Sequence, residues 1–194
     1  MMDDEKSIRS FLAIDVPPEV LSDISGIQAG LRKTLQGAIR WVRPEGMHLT
    51  LKFFGDVSEN DIAVVSRIVG EHVKGIGPFS LHLQNLGVFP DINRPRVLWL
   101  GIGGDVEALV NFQKSMDQIL HGSGYAEEKR PFRPHLTLAR IKEPRGLIGL
   151  ARIIENRDND MAGHFNAGGL NLYRSQLTPR GAVYTKLAYF PFEG

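Results

Sequence analysis

The stretch Pro134-His135-Leu136-Thr137-Leu138 repeats an earlier one, Met47-His48-Leu49-Thr50-Leu51. In each copy a His and a Thr stand two apart, and each is followed by Leu. Side chains two apart on a β-strand point to the same face, so each copy aims an imidazole and a hydroxyl one way and its leucines the other. Six histidines and five threonines in 194 residues make an accidental duplicate uncommon. A single H-x-T has no weight as a motif, whereas the matched pair does. Two such strands facing each other would set two imidazoles and two hydroxyls around one small anion.

Working outward, Ile8–Val16 reads as a strand, and Pro17-Pro18 opens a helix with its apolar stripe at Val20, Ile24, Ile27, Leu31 and Leu35. A short strand, Ile39–Arg43, leads to the first motif strand, Met47–Phe54. Strict alternation along it puts His48, Thr50, Lys52 and Phe54 on one face. Ser58-Glu59-Asn60-Asp61 is a capping-box-like start for a second helix. Strands at about 79–89 and 96–102, a third helix from Val106 to Leu120, the second motif strand His135–Ile141, a helix near 146–156 and two final strands complete the chain. The order helix, H-x-T strand, helix, strand, turn, strand thus occurs twice, and each turn carries Pro-Arg: Pro95-Arg96 and Pro179-Arg180. The expected fold is α+β: one domain over 1–194, made of two similar lobes around a central cleft. Two mostly antiparallel sheets with flanking helices are related by a pseudo-twofold axis.

Composition narrows the function classes. An apolar fraction of 42% and a charged fraction of 23% are those of a globular protein. A net charge of +1 gives no global drive toward nucleic acid, so any RNA contact must be local. The absence of Cys excludes disulfides, thiolate metal sites and cysteine nucleophiles. No apolar run approaches membrane-spanning length and Met1–Lys6 is acidic and polar, so a cytoplasmic protein is expected.

Cleaving a phosphodiester in line needs a base for the nucleophile and an acid for the leaving oxygen. Histidine can serve as either near neutral pH, so an opposed pair supplies both without a metal. Thr50 and Thr137 are placed to donate to non-bridging oxygens, and Arg140 and Lys52 are the nearest cations. H-x-T pairs with no Cys and no close carboxylate are a poor zinc ligand set, so neither metal nor cofactor is expected. His72, His82, His121 and His164 lack a matching motif and read as structural or surface residues. Gly101-Ile102-Gly103-Gly104 lacks the Lys-Ser/Thr of a P-loop and reads as a turn. Trp41, Phe54, Phe89 and Tyr184 are candidates for stacking on a base, with core packing the alternative. Arg43, Arg96, Arg130, Arg133 and Arg180 are candidates for the cleft mouth.

The stretches Arg9-Ser10-Phe11-Leu12-Ala13-Ile14, Trp41-Val42-Arg43-Pro44 and His48-Leu49-Thr50-Leu51-Lys52-Phe53 resemble the first half of the two-histidine (2H) phosphoesterases. Pro134–Arg140 and Ser175–Tyr184 resemble the second half, and the likeness covers nearly the whole chain. The nearest branch is the RNA 2',3'-cyclic phosphodiesterases, historically called 2'-5' RNA ligases. The resemblance implies metal-free opening of a 2',3'-cyclic phosphate to a 2'-phosphomonoester, with weak reversible 2'-5' ligation. It implies His48 as general acid and His135 as general base, roles that the pseudo-symmetry allows to be exchanged, with Thr50, Thr137 and Arg140 on the phosphate. Phe54, Lys52 and Arg133 are further candidates for substrate contact. Arg140 lies five after His135, so strict alternation would turn it away; a bulge or the strand's end must re-aim it. The partners implied are RNA ends or nucleoside cyclic phosphates, including tRNA-derived RNA, with no membrane and a monomeric chain. A small cyclic nucleotide such as a cyclic phosphate of ADP-ribose, or a non-catalytic RNA-end-binding module, are the alternatives.

Overall fold

The computed structural model describes residues 7–155, 163–179 and 181–194; Arg180, in the second Pro-Arg turn, lies outside them. The elements run β1 (Ile8–Asp15), α1 (Pro18–Thr34), β2 (Ile39–Trp41), β3 (His48–Val57), α2 (Glu59–His72), β4 (Phe79–Phe89), β5 (Val97–Gly104), α3 (Val106–Gly122), β6 (His135–Ile141), α4 (Leu150–Glu155), β7 (Phe165–Ala167), β8 (Gly169–Thr178) and β9 (Gly181–Pro191). They build the expected α+β architecture. One antiparallel sheet has the order β3-β1-β8-β9 and the other β2-β6-β5-β4-β7. Gly101–Gly104 is the end of β5, not a turn. It must be glycine-rich there: a Cβ on Gly101 would meet the Gln84 carbonyl at 2.7 Å, and one on Gly103 the His82 ring at 2.3 Å.

The repeat differs from a division into two contiguous halves. The unit β1-α1-β3-α2-β4 recurs about 90 residues later as β5-α3-β6-α4-β8. The first two strands of each unit stay together, β1 with β3 and β5 with β6. The last strand crosses over: β4 joins β5 in the second sheet, and β8 joins β1 in the first. Neither sheet is complete without a strand from the other unit.

The leucines set the register. Leu49, Leu51, Leu136 and Leu138 are buried beneath helices whose stripes include Val20, Ile24, Val65, Val69, Leu109, Met116 and Leu120. A fully buried leucine contributes roughly 1.5–3 kcal/mol. A one-residue slip would expose all four, so the H-x-T side chains have no choice but the opposite face. Local chemistry agrees at α2, where Ser58 Oγ accepts from the Asp61 amide at 3.1 Å and the Asp61 carboxylate accepts from the Ser58 amide at 2.9 Å.

Each motif strand carries a β-bulge at the same place. Opposite β1, Thr50 faces Ala13 and Lys52 faces Leu12, which leaves Leu51 unopposed. Opposite β5, Thr137 faces Trp99 and Ala139 faces Leu98, which leaves Leu138 unopposed. A bulge takes one residue out of the ladder, and its backbone groups need partners elsewhere. Two buried glutamines provide them. Gln113 of α3 donates to the Leu51 carbonyl at 3.2 Å, and Gln28 of α1 donates to those of Leu138 and Val42 at 2.9 Å each. Each unit's first helix therefore caps the bulge of the other unit's motif strand. Replacing Gln28 or Gln113 by Leu leaves a buried carbonyl short of a donor. Each variant should lose about 1–3 kcal/mol in urea unfolding; unchanged stability would show that the glutamines do not hold the bulges.

Candidate active site

His48 opens β3 on the face opposite the core. Its imidazole stacks on Phe11 at 4.5 Å between centroids and meets Tyr184 edge-on at 4.9 Å, with Tyr173 stacked beyond Phe11. These rings form a small apolar cluster separate from the main core. A ring N–H of His48 donates to the carbonyl of Gly46, two residues back. Asp15 stands directly opposite His48 on β1; its carboxylate accepts from the Tyr173 hydroxyl and from Lys186 Nζ. Burial lowers the His48 pKa from its ordinary 6.5 to about 4, and it outweighs the opposing pull of Asp15 and the Gly46 carbonyl. Burial and Asp15 push the Tyr173 phenol up, which keeps it a donor.

His135 opens β6 in the matching position. Its Nδ1 lies 2.6 Å from the carbonyl of Arg133, again two residues back. A carbonyl can only accept, so Nδ1 carries the proton and Nε2 is the nitrogen left for chemistry. Phe89 meets the ring edge-on at 5.0 Å and Trp99 lies at 6.3 Å. Trp99 lies across Gly87, where an added Cβ would come within 2.1 Å of the indole. The residue opposite His135 is Gly101, where the first sheet has Asp15. The two motifs thus match in backbone and differ in surroundings. β3 and β6 approach each other, and the Thr50 and Thr137 hydroxyls are half-buried without a hydrogen-bond partner among the described residues.

The bulges reassign the side chains beyond each Thr. After Leu138 the alternation shifts by one, so Ala139 is buried and Arg140 is exposed on the His135 face. The shift that this position required is therefore a bulge. After Leu51 the same shift overturns the expectation for two residues. Lys52 turns inward and is only 4% exposed. Its Nζ pairs with Asp117 of α3 and donates to the Ala126 carbonyl at 2.6 Å, while Asp117 also accepts from the Glu128 amide at 3.1 Å. Lys52 thus pins the loop after α3 and does not face the cleft. Phe54 packs on the core against Tyr125 at 5.6 Å, away from His48. Phe53 takes the place expected of Phe54. It is 60% exposed, 5.7 Å from Phe11, and holds the position that Arg140 holds in the other motif.

The remaining candidates divide similarly. Arg133 presents its carbonyl to His135 and its side chain to solvent. Trp41 is covered by Arg32, whose guanidinium carbon lies 4.8 Å from the ring centre. Phe89 and Tyr184 line the two histidines. Among the described residues no group of three His, Cys, Asp or Glu could hold a metal, and no helix is long and apolar enough to cross a membrane.

A family model described as LigT-like phosphoesterase matches residues 14–99 and 103–184, two segments that each hold one H-x-T motif. The chain belongs to this family. Among its relatives is the RNA 2',3'-cyclic phosphodiesterase of Methanothermobacter thermautotrophicus, 36% identical over 94% of this chain and 98% of that protein. The enzyme of the same name from Thermotoga maritima is 34% identical over 96% and 97%. Among solved structures, E. coli LigT complexed with 3'-AMP superposes with a TM-score of 0.76 at 26% identity, over 97% of this chain and 100% of that one. A Thermus thermophilus protein gives 0.77 at 27% identity, over 96% and 99%.

In this LigT-like phosphoesterase, Asp15 and Tyr173 beside His48, Phe53 on its face, and Gln28 and Gln113 at the bulges are neighbours of the candidate site that the H-x-T motifs do not indicate. For Phe53 the available signal was the +5 position after each His, which is Phe in one copy and Arg in the other. Replacing Lys52 by Met would leave Asp117 buried without its cation. Thermal or urea unfolding should show a loss of about 3 kcal/mol or more. Phe53→Ala, on an exposed face, should cost within about 0.5 kcal/mol. Equal losses would mean that the two side chains do not lie on opposite faces.

Proposed function

We propose that this chain hydrolyses RNA 2',3'-cyclic phosphates to 2'-phosphomonoesters, with His48 and His135 as the acid–base pair. The observation that carries this reading is the doubled arrangement itself. Two bulged strands each present an imidazole held by its own backbone carbonyl, with a Thr hydroxyl beside it and Arg140 on the same face of the second sheet. The names of the relatives support the substrate class.

In this scheme His135 Nε2 takes a proton from water as its oxygen attacks phosphorus. The bond from phosphorus to the 3'-oxygen breaks, and His48 protonates that oxygen as it leaves. Thr50 and Thr137 donate to the non-bridging oxygens, whose charge grows in the transition state, and Arg140 neutralises it. No metal takes part. Attack by a terminal hydroxyl in place of water would run the same chemistry toward a 2'-5' linkage, weakly. One chain supplies both motifs, so a monomer suffices; the substrates are RNA ends, tRNA-derived ones included, and the compartment in this reading is the cytoplasm.

His48 is neutral in the substrate-free protein at neutral pH, which an acid cannot be when it acts. The negative charge of a bound phosphate, added to Asp15 in a site shielded by Phe11 and Tyr184, restores the proton. Titrating His48 by NMR should give a value near 4 in the free protein and a rise of about three units, to near neutral, with 2'-phosphate product bound. An unmoved value would exchange the two histidine roles.

Hydrolysis of nucleoside 2',3'-cyclic phosphates should persist in EDTA; loss to chelator would end the metal-free scheme. His48→Ala and His135→Ala should each lower kcat by about 10²–10⁴-fold with the fold retained. A near-normal rate in either variant would rule out the paired mechanism.

A further inference from the structure

The cations near the second motif do not stop at Arg140. In the β2–β6 pairing, Ile39 faces Ile141, Arg40 faces Arg140 and Trp41 faces Ala139. Ile141 and Ala139 are buried, and Ile39 and Trp41 pack on the same core. Arg40 and Arg140 therefore share the outward face, the face of His135, one strand spacing or about 4.8 Å apart. Lys142 follows two residues after Arg140, and its amide continues the pairing by donating to the Ala38 carbonyl at 2.8 Å. All three side chains are exposed, and none forms an ion pair with any described residue. Like charges placed directly opposite on neighbouring strands destabilise a sheet. Nothing in the described protein offsets that cost, so the arrangement suits an anion from outside.

The space for one is present. An open groove of about 590 Å³ is lined by Gly37, Ala38, Ile39, Arg40, Lys142 and Pro179. Pro179, just after β8, closes its far side, and a Cβ on Gly181, at the start of β9, would stand 3.2 Å from Arg40 Nη2. The groove lies at the end of β6 remote from His135. His135, Thr137, Arg140 and Lys142 thus form one outward-facing row that leads from the catalytic end into it. A step of two residues along a strand covers about 6.6 Å, comparable to the separation of neighbouring phosphates in an extended nucleic-acid strand.

Resting on the function proposed above, we infer that this groove holds the internal phosphodiester backbone next to the cyclic end, with Arg40 and Lys142 as phosphate-binding residues. The substrate class is then a cyclic-phosphate-ended oligonucleotide rather than a mononucleotide. Arg140 sits at the junction, between the reacting phosphate and its neighbour. This also reconciles RNA binding with a net charge of only +1, since the positive charge is concentrated in one row.

The test compares the wild type with the double variant Arg40→Gln/Lys142→Gln on three substrates. They are a nucleoside 2',3'-cyclic phosphate, a tetranucleotide RNA with a 2',3'-cyclic end, and a cyclic phosphate of ADP-ribose. The variant should lose about tenfold or more in kcat/KM on the tetranucleotide and stay within about twofold on the nucleoside. With two contacts removed, the slope of log kcat/KM against log salt on the tetranucleotide should flatten by about 1.4. Melting temperature should hold or rise, because the Arg40–Arg140 repulsion is relieved. Equal losses on nucleoside and tetranucleotide, or no loss on the tetranucleotide, would overturn the inference. A loss confined to ADP-ribose cyclic phosphate would overturn it too, by assigning the groove to a pyrophosphate. If the wild type turns over none of the three, the proposed function fails instead. Fluorescence anisotropy with a 3'-phosphate-ended tetranucleotide then tests the groove alone: weaker binding by the variant supports it, and equal binding removes it.

Discussion

Two buried amide groups hold the centre of this molecule in shape. Gln28 and Gln113 each reach from a helix of one unit to the bulged carbonyl on the motif strand of the other. Without the bulge at Leu138, alternation would send Arg140 into the core and bring Ala139 to the cleft. Without the bulge at Leu51, Lys52 would face the cleft and Asp117 would have no cation. The bulges are thus the local defect that makes each motif usable, and the reciprocal glutamines join the two units at the same points. The hydrogen bonds are modest in energy, but a buried carbonyl without a donor is costly. Specific placement follows from that asymmetry.

On this symmetric frame the two sides have separate chemistry. His48 sits among Phe11, Tyr173 and Tyr184 with a carboxylate at the next strand, and burial dominates its proton affinity. His135 sits beside Phe89 and Trp99 with a glycine at the corresponding place. The position five after each His continues the division, an exposed aromatic ring on one side and a guanidinium on the other. A ring suits the face of a base and a guanidinium suits a phosphate. The duplicated backbone supplies two imidazoles in matching positions, and in the proposed function the differences around them would orient an asymmetric nucleotide between them.

Much of this was legible in the sequence because it depends on period-two alternation and helical stripes, which leave direct traces. The two H-x-T strands, the leucine faces, the capping box at Ser58 and the α+β class all belong to that kind. The faces of Lys52 and Phe54 were misread because one inserted residue reverses alternation, and Leu51 looks like any other strand leucine. The exchange of β4 and β8 between sheets was also hidden, since pairing between distant strands leaves no local periodicity. Asp15 and Tyr173 are separated by 158 residues in the chain and meet only through the β1–β8 pairing. The Arg40–Arg140 pair is of the same sort, two ordinary surface arginines until β2 is laid against β6.

The exchanged strands also have a consequence for how the chain is made. β1 lies between β3 and β8, so one of its edges stays open until residues 169–178 have left the ribosome. Only 16 residues of this sequence follow Thr178, so β1, the first strand, is still waiting for a neighbour when nearly all the others have been made. Such long-range closure is slow compared with local pairing. During that interval Leu12 and Ile14 belong to an unfinished edge, the kind of surface that invites pairing with another chain. A truncated product that ends before β8 would carry an intact His48 motif on a sheet that cannot close, and its natural fate is aggregation rather than a half-active fragment.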